Sequence, residues 1–134
     1  MSVKRRRLGV GTLNGTLYAV GGRGDSLRPL ASVEAYNPVT DAWATVAPMS
    51  MKRQELGVGA LGGLLYAVGG WDDYAGGGLA SVEAYNPVND SWALVAPMSG
   101  LRYELSVGAL GGLLYAVGGY DKNGTSLASV EAYN

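Results

Sequence analysis

The sequence predicts an all-β protein built from successive antiparallel units, and three observations lead to this prediction. An apolar stretch that ends in a glycine pair occurs at residues 16–22, 64–70 and 113–119. A Ser-Val-Glu-Ala-Tyr-Asn segment recurs with the same spacing, beginning at residues 32, 81 and 129. The composition, with 22 glycines, nine tyrosines and no phenylalanine, favours short strands and tight turns over helices. Repeats of this length are typical of solenoids, propellers and arrays.

The first unit contains four strand signals, which we term strands a, b, c and d. They lie at residues 8–13, 16–20, 32–36 and 43–47. Asn14-Gly15 is a strong hairpin signal between a and b, because both residues tolerate positive φ. Asn37-Pro38 followed by Asp41 indicates a turn between c and d. The unit is therefore predicted to be a four-stranded antiparallel meander.

The second unit repeats this order, and the third repeats only part of it. Strands of the second unit are predicted at residues 56–61, 64–68, 81–85 and 92–96. The third unit has strands a, b and c but no counterpart of residues 87–97. We therefore divide the chain into blade 1 (residues 1–48), blade 2 (49–97) and an incomplete blade 3 (98–134). Units of this length are typical of propeller blades.

The units resemble kelch repeats, which form the blades of a class of β-propellers. The shared marks are the strand that ends in Gly-Gly and a tyrosine separated by six residues from a tryptophan, as in Tyr36 with Trp43 and Tyr85 with Trp92. The Val-Glu-x-Tyr strands and the Ala-Pro-Met ends are most similar to the kelch-like (BTB-kelch) substrate adaptors. The resemblance implies about 2¾ four-stranded blades, the third without its outer strand.

Fewer than three complete blades do not close a ring, because propellers close with roughly four to eight blades. Two explanations are open. The chain is a fragment of a longer propeller, which we favour, or copies of it associate and close the ring together. The near identity of the units is expected from recent duplication and equally from consensus design.

Composition excludes several classes of partner and site. Ten basic and eleven acidic residues give no general attraction for nucleic acid or for a membrane surface. We expect no cofactor, metal site or catalytic function, because the sequence has neither histidine nor cysteine for copper, zinc or nucleophilic chemistry. Since no apolar run has the length of a membrane span or a signal-peptide core, we expect a cytoplasmic protein.

The predicted binding face is formed by the b–c and d–a loops, which emerge at the same edge of a meander. These loops differ among the units, whereas the strands hardly differ. Aromatic side chains dominate the energetics of many protein interfaces. We therefore predict partner contacts at Trp71, Tyr74, Tyr103 and Tyr120. Packing of such a ring over its own loop is the alternative.

The resemblance implies further partner contacts on this face. Kelch-like adaptors capture peptide segments, often acidic ones, with arginines of the d–a loops and serines at the start of strand c. The matching residues are Arg5, Arg53, Arg102, Ser32, Ser81 and Ser129. A guanidinium group can bind a carboxylate with two hydrogen bonds, which suits this task. Alternatively, the arginines pair with the repeated Glu34, Glu83 and Glu131 or with backbone carbonyls.

The sequence therefore predicts a protein–protein interaction module. Recruitment of substrates to a cullin-type ubiquitin ligase is its most specific form, and it follows from the resemblance alone. The alternatives are an actin-binding kelch module, a structural or designed scaffold without a ligand, and a propeller enzyme whose catalytic residues lie in further blades.

Overall fold

The structure is a computed structural model that describes residues 1–133. Its strands are β1 (Gly9–Leu13), β2 (Thr16–Val20), β3 (Val33–Asn37), β4 (Ala42–Val46), β5 (Gly57–Leu61), β6 (Leu64–Val68), β7 (Trp71–Asp72), β8 (Gly77–Gly78), β9 (Val82–Asn86), β10 (Ser91–Val95), β11 (Ser106–Leu110), β12 (Leu113–Val117) and β13 (Val130–Tyr133). Over these residues the chain forms no helix, and hence none that is long and apolar enough to cross a membrane.

The strands form three blades, which confirms the predicted fold class. Blade 1 has the order β1-β2-β3-β4, blade 2 the order β5-β6-β9-β10, and blade 3 the order β11-β12-β13. All pairings are antiparallel, and the three sheets lie within the three predicted units. Most strands lie within one residue of their predicted bounds, because the turn residues that separate them are explicit in the sequence.

The hydrophobic core lies between the blades and not within any one of them. Because side chains alternate across a strand, each blade has two apolar faces. Tyr18, Val20 and Val33 of blade 1 pack against Leu65 and Tyr85 of blade 2. The rings of Tyr18 and Tyr85 meet edge to face, with their centroids 5.7 Å apart. A second apolar cluster fills the space between blades 2 and 3 in the same way.

Glycines on the innermost strands allow the blades to approach closely. Gly9 and Gly11 of β1 lie against Val58 of β5, and a Cβ atom added at Gly11 would stand 2.7 Å from a methyl group of Val58. Gly57 and Gly59 receive Val107 of blade 3 in the same manner, at 2.4 and 2.7 Å. These alternate glycines therefore determine the spacing of the inner strands.

The tyrosine–tryptophan signature stabilises a blade and also links it to the preceding blade. The rings of Tyr85 and Trp92 pack at a tilt of 37° within blade 2, with their centroids 5.2 Å apart. Trp92 Nε1 donates a hydrogen bond to the carbonyl of Ala47 in blade 1 at 2.9 Å. Asp90 accepts bonds from the Tyr85 hydroxyl at 2.8 Å and from the Ala47 backbone N–H at 2.9 Å. This network joins the outer rims of the two blades.

One small element is absent from the sequence prediction. The b–c loop of blade 2 folds into a two-stranded ribbon, in which Trp71 pairs with Gly78 and Asp72 with Gly77. Asp72 accepts a hydrogen bond from the backbone of Tyr74 at 2.9 Å and so shapes the turn. Strands of two residues, one of them only glycine, lack an alternating pattern that would reveal them.

Candidate functional site

The b–c and d–a loops meet at one edge of the blades, as the meander predicts. In each unit the two loops are joined by one antiparallel bridge with two backbone hydrogen bonds. The side chains at these bridges differ in each unit, and we call them the bridge pairs. They are Arg6 with Arg23, Gln54 with Trp71, and Tyr103 with Tyr120. The N–O distances in the bridges range from 2.7 to 3.3 Å.

The repeated sequence places each bridge pair. Its d–a member directly follows a repeated arginine, for example Gln54 after Arg53. Its b–c member directly follows the glycine pair, for example Trp71 after Gly70. The backbone at the bridge is thus the same in all three units. The side chains change from two arginines in blade 1, to glutamine and tryptophan in blade 2, to two tyrosines in blade 3.

Three of the four predicted aromatic residues form one cluster on this face. The Trp71 and Tyr103 rings meet edge to face with centroids 5.0 Å apart, and Tyr103 stacks on Tyr120 at 5.5 Å. The cluster therefore joins the bridge pairs of blades 2 and 3, and its three rings are half-buried. Tyr74 lies apart from it and is 59% exposed. The ammonium group of Lys52 lies 4.4 Å from the centre of the Tyr74 ring, a cation–π contact.

A recess of about 360 Å³ lies beside this cluster. Its lining residues are Arg7, Arg23, Gln54, Glu55, Trp71, Asp73, Tyr103 and Glu104. Gln54 is 3% exposed, and its side-chain oxygen has no hydrogen-bond partner among the described residues. Burial raises the pKa of Glu55, and the neighbouring Arg7 guanidinium opposes this shift. The recess thus offers a buried acceptor between charged and aromatic groups.

The bridge pair of blade 1 places two cations opposite one another. The bridge brings the backbones of Arg6 and Arg23 within hydrogen-bond distance, at 2.7 and 3.1 Å. Arg23 Nε donates to the carbonyl of Leu27 at 2.7 Å, while Arg6 is exposed to solvent. Like charges directly opposite each other repel. An anion between them would relieve this repulsion, so this end of the face suits an acidic group.

The arginines implied by the resemblance lie inside the blades. Arg53 is fully buried, and its Nε and Nη2 atoms donate to Glu83 at 3.1 and 2.9 Å. Its Nη1 atom donates to the carbonyls of Gly69 and Ser81, both at 2.9 Å. Nη2 also donates to the Ser81 hydroxyl at 2.9 Å. Arg53 therefore connects the end of strand b to the start of strand c.

The other two repeated arginines occupy equivalent positions. Arg5 bonds Glu34, the carbonyl of Gly21 and the carbonyl of Ser32. Arg102 bonds Glu131, the carbonyl of Gly118, and both the carbonyl and the hydroxyl of Ser129. The structure thus shows the pairing that the sequence left open as the alternative. Contact of these arginines and serines with a partner stays a prediction, and the burial of the arginine side chains does not favour it for them.

Hydrogen bonds hold Glu34 and Glu131 in their charged form. Burial alone would raise the pKa of Glu34, but hydrogen bonds from Ser2, Arg5 and Val3 lower it to about 2. The pKa of Glu131 is likewise lowered, because bonds from Ser99 and Arg102 outweigh the effect of burial. In residues 1–133, no three acidic side chains gather into a group that could hold a metal ion.

Comparison with known proteins agrees with this architecture. The family profile described as "Kelch motif" matches residues 4–50, 52–99 and 101–134. The chain belongs to the Kelch-repeat family. Kelch propellers are generally protein–protein interaction modules. The kelch-like adaptor subfamily stays a prediction for this Kelch chain. No curated protein matches the sequence significantly.

A solved structure titled "Structure of YjhT" is similar to this Kelch chain in fold. The two superpose with a TM-score of 0.83 at 14% sequence identity. The match covers 98% of the Kelch chain but only 46% of the other chain. The Kelch chain thus spans about half the length of this structural neighbour.

Sequence reasoning missed three of the six residues in the bridge pairs, namely Arg6, Arg23 and Gln54. Their signal is present in the sequence, because each is a variable residue beside an invariant arginine or glycine pair. That signal does not show that the two loops of a unit pair with each other. Only the bridges place these residues next to the predicted aromatic ones.

Proposed function

We propose that this Kelch chain binds a segment of a partner protein across the three bridge pairs. One observation carries the proposal: an identical backbone bridge presents a different pair of side chains in each unit. A rigid scaffold with variable side chains is the arrangement expected of a recognition surface. The proposal is for binding without catalysis, consistent with a sequence that has neither histidine nor cysteine.

The chemistry of the pairs indicates the kind of segment. An acidic side chain would lie between Arg6 and Arg23, where guanidinium groups can form charge-assisted bonds to a carboxylate. An apolar or aromatic side chain would pack on the ring of Tyr103 beside Trp71. We therefore propose an acidic peptide with an aromatic or apolar residue.

Selection from a library of displayed random peptides tests this proposal. We expect enriched peptides to bind saturably and to combine acidic with aromatic residues. Replacing Arg6 and Arg23 together by Ala should weaken binding at least tenfold and reduce its dependence on salt. Arg28→Ala is the matched control, because Arg28 is an exposed arginine of the same loop but lies outside the bridge pairs. Equal loss in the control, or no enriched peptide, would contradict the proposal.

Recruitment of a substrate to a cullin-type ubiquitin ligase is a narrower form of this proposal. It requires a cullin-binding domain in addition to the blades. Pull-down of a cullin together with the selected partner, dependent on Arg6 and Arg23, is the corresponding test. Peptide binding without cullin recovery would leave the general proposal in place and reject the narrower one.

A further inference from the structure

The two interfaces between blades are copies of one another, and this extends to the backbone. The bonds between blades 1 and 2 run from Gly22 N to Arg53 O (2.7 Å) and from Arg53 N to Leu30 O (3.0 Å). The equivalent bonds between blades 2 and 3 run from Gly70 N to Arg102 O (2.8 Å) and from Arg102 N to Leu79 O (3.2 Å). The chain therefore uses one interface repeatedly, with a forward face on one blade and a backward face on the next.

Both outer ends of the arc carry these same faces without a neighbour among residues 1–133. Blade 1 presents its backward face, on which Val10 is 54% exposed at the position of Val58 and Val107. Blade 3 presents its forward face, on which Val117 is 44% and Val130 is 53% exposed. In blade 1 the counterparts of these two valines are fully buried. Gly108, the counterpart of Gly11 and Gly59, faces open space.

Of the two explanations that the sequence leaves open, these faces lead us to the second: we propose that two copies of this chain close a ring, with blade 1 of each copy docked on blade 3 of the other. Val10 of one copy would lie against Gly108 of the other, as Val58 lies against Gly11. Since each copy has one forward and one backward face, the pair is related by a twofold axis and leaves no face open. This inference is independent of the proposed function.

Backbone groups at the two ends are complementary in the same register. Continuing the pattern would pair Gly119 N with Arg5 O, and Arg5 N with Leu127 O, across the two copies. In the described residues these groups form no backbone hydrogen bond of the kind that joins neighbouring blades. Docking would therefore satisfy polar groups as well as cover apolar ones.

The charged residues that follow Arg5, Arg53 and Arg102 by two positions are also complementary at the two ends of the arc. Glu55 N donates to Arg7 O at 2.8 Å, Glu104 N donates to Glu55 O at 2.8 Å, and the Arg7 and Glu55 side chains form an ion pair. The next position in this series after Glu104 would be Arg7 of the second copy. An acidic side chain at one end thus meets a basic one at the other.

The structural neighbour supplies an independent measure of size. One copy superposes on 46% of the YjhT chain with a TM-score of 0.83. Two copies therefore correspond to roughly nine-tenths of a chain of that fold, since twice 46% is 92%. An arc that matches about half of such a fold is suited to closure by one further copy.

On the innermost strand of the forward face, Ser106 departs from the repeat, in addition to the outer strand that blade 3 lacks. The equivalent glycines, Gly9 and Gly57, would place an added Cβ atom only 2.2 and 2.4 Å from the docked valine. The Cβ atom of Ser106 therefore prevents Val10 from docking as closely as Val58 does. We expect the interface between copies to be looser than the two internal ones, and Ser106→Gly to tighten it.

Light scattering after size exclusion, over a range of protein concentrations, tests the inference. We expect a discrete species of twice the chain mass of 13.8 kDa. Val10→Asp should raise the dissociation constant of the dimer at least tenfold. Val39→Asp is the matched control, because Val39 is 91% exposed on the c–d turn and should leave the dimer intact.

Two further variants keep the test independent of folding defects. Gly108→Val adds a side chain where nothing lies within 4 Å, so it should leave the fold unchanged and abolish the dimer. Ser106→Gly should strengthen the dimer. Circular dichroism verifies the fold of each variant. A monomer at all concentrations, an open-ended series of oligomers, or a dimer insensitive to Val10→Asp and Gly108→Val would overturn the proposal.

Discussion

At the scale of single residues, the repeated arginine–glutamate pairs hold each blade to its loops. Arg53 satisfies carbonyl groups at Gly69 and Ser81, while Glu83 accepts hydrogen bonds from Arg53 and from the backbone N–H of Ser50. A buried ion pair is expensive to desolvate, so its contribution comes from the polar groups that it satisfies. Removing one partner leaves a buried charge without compensation.

We therefore expect Arg53→Ala to reduce the free energy of unfolding by about 3–5 kcal/mol. Arg53→Lys should have a smaller effect, because it keeps the charge but loses the planar donor group. Urea denaturation at fixed protein concentration measures both. Arg6→Ala is the control, and as an exposed substitution it should change stability by no more than about 0.5 kcal/mol. Similar losses for Arg53→Ala and Arg6→Ala would refute this role.

The low pKa of Glu34, the acidic member of the Arg5–Glu34 pair, predicts that the stability of the fold depends on pH. The pKa of Glu34 in the folded protein is about 2, well below its ordinary value of 4.5. Because the folded pKa is the lower one, this carboxylate stabilises the fold fully above pH 4.5, and its contribution is lost as pH falls from there towards 2. Denaturation midpoints measured across this range should fall, and Glu34→Gln should flatten the dependence. A variant with an unchanged pH profile would show that other groups dominate.

At the scale of elements, the glycine pair that ends each strand b has different surroundings in different blades. Gly69 has a φ of +60°, and a Cβ atom there would stand 2.4 Å from the carbonyl oxygen of Arg102. Gly118 has a φ of +63°, but the nearest atom would be 3.5 Å away. The first glycine of the pair is thus constrained by conformation in both places, and by close packing only where another blade follows.

Without a second copy docked on blade 3, Gly118→Val should therefore destabilise the fold by about 1–3 kcal/mol through backbone strain alone. Gly69→Val should cost more, because the added side chain also displaces the backbone of blade 3. Both should cost more than Arg28→Ala in an exposed loop. Denaturation midpoints order the three variants, and a midpoint for Gly69→Val equal to that of Gly118→Val would show that contact with the next blade is unimportant.

At the scale of the whole molecule, stability is expected to be uneven along the arc. Blade 2 is covered on both faces, and its strands β6 and β9 are mostly buried. In residues 1–133, strand β13 pairs with β12 on one edge and has no strand on the other. An unpaired edge leaves backbone groups open to water or to another chain.

Hydrogen exchange should accordingly be slowest in β6 and β9 and fastest in β13 among the strands of the blades. Protection of β11 should increase with protein concentration, because the second copy would cover Ser106 and Gly108. The exposed turn around Val39 provides the internal reference for fast exchange. Equal protection of β9 and β13 would contradict this gradient.

The sequence by itself determined the strands, their order and the edge at which the variable loops meet. These features depend on local signals, such as Asn14-Gly15 and the repeated glycine pairs, and on a period that the chain repeats. Trp71, Tyr103 and Tyr120 were predicted as contact residues because they vary where the strands do not. Local signals and internal comparison were sufficient for this much.

Only the tertiary structure decided the roles of the arginines and the composition of the bridge pairs. Arg53 and Arg6 are both basic loop residues in the sequence, yet one is fully buried against Glu83 and the other is exposed. Which of them faces solvent depends on contacts between segments about 17 to 30 residues apart. A repeat shows that positions are equivalent to one another, but burial and pairing arise from the packing of distant segments.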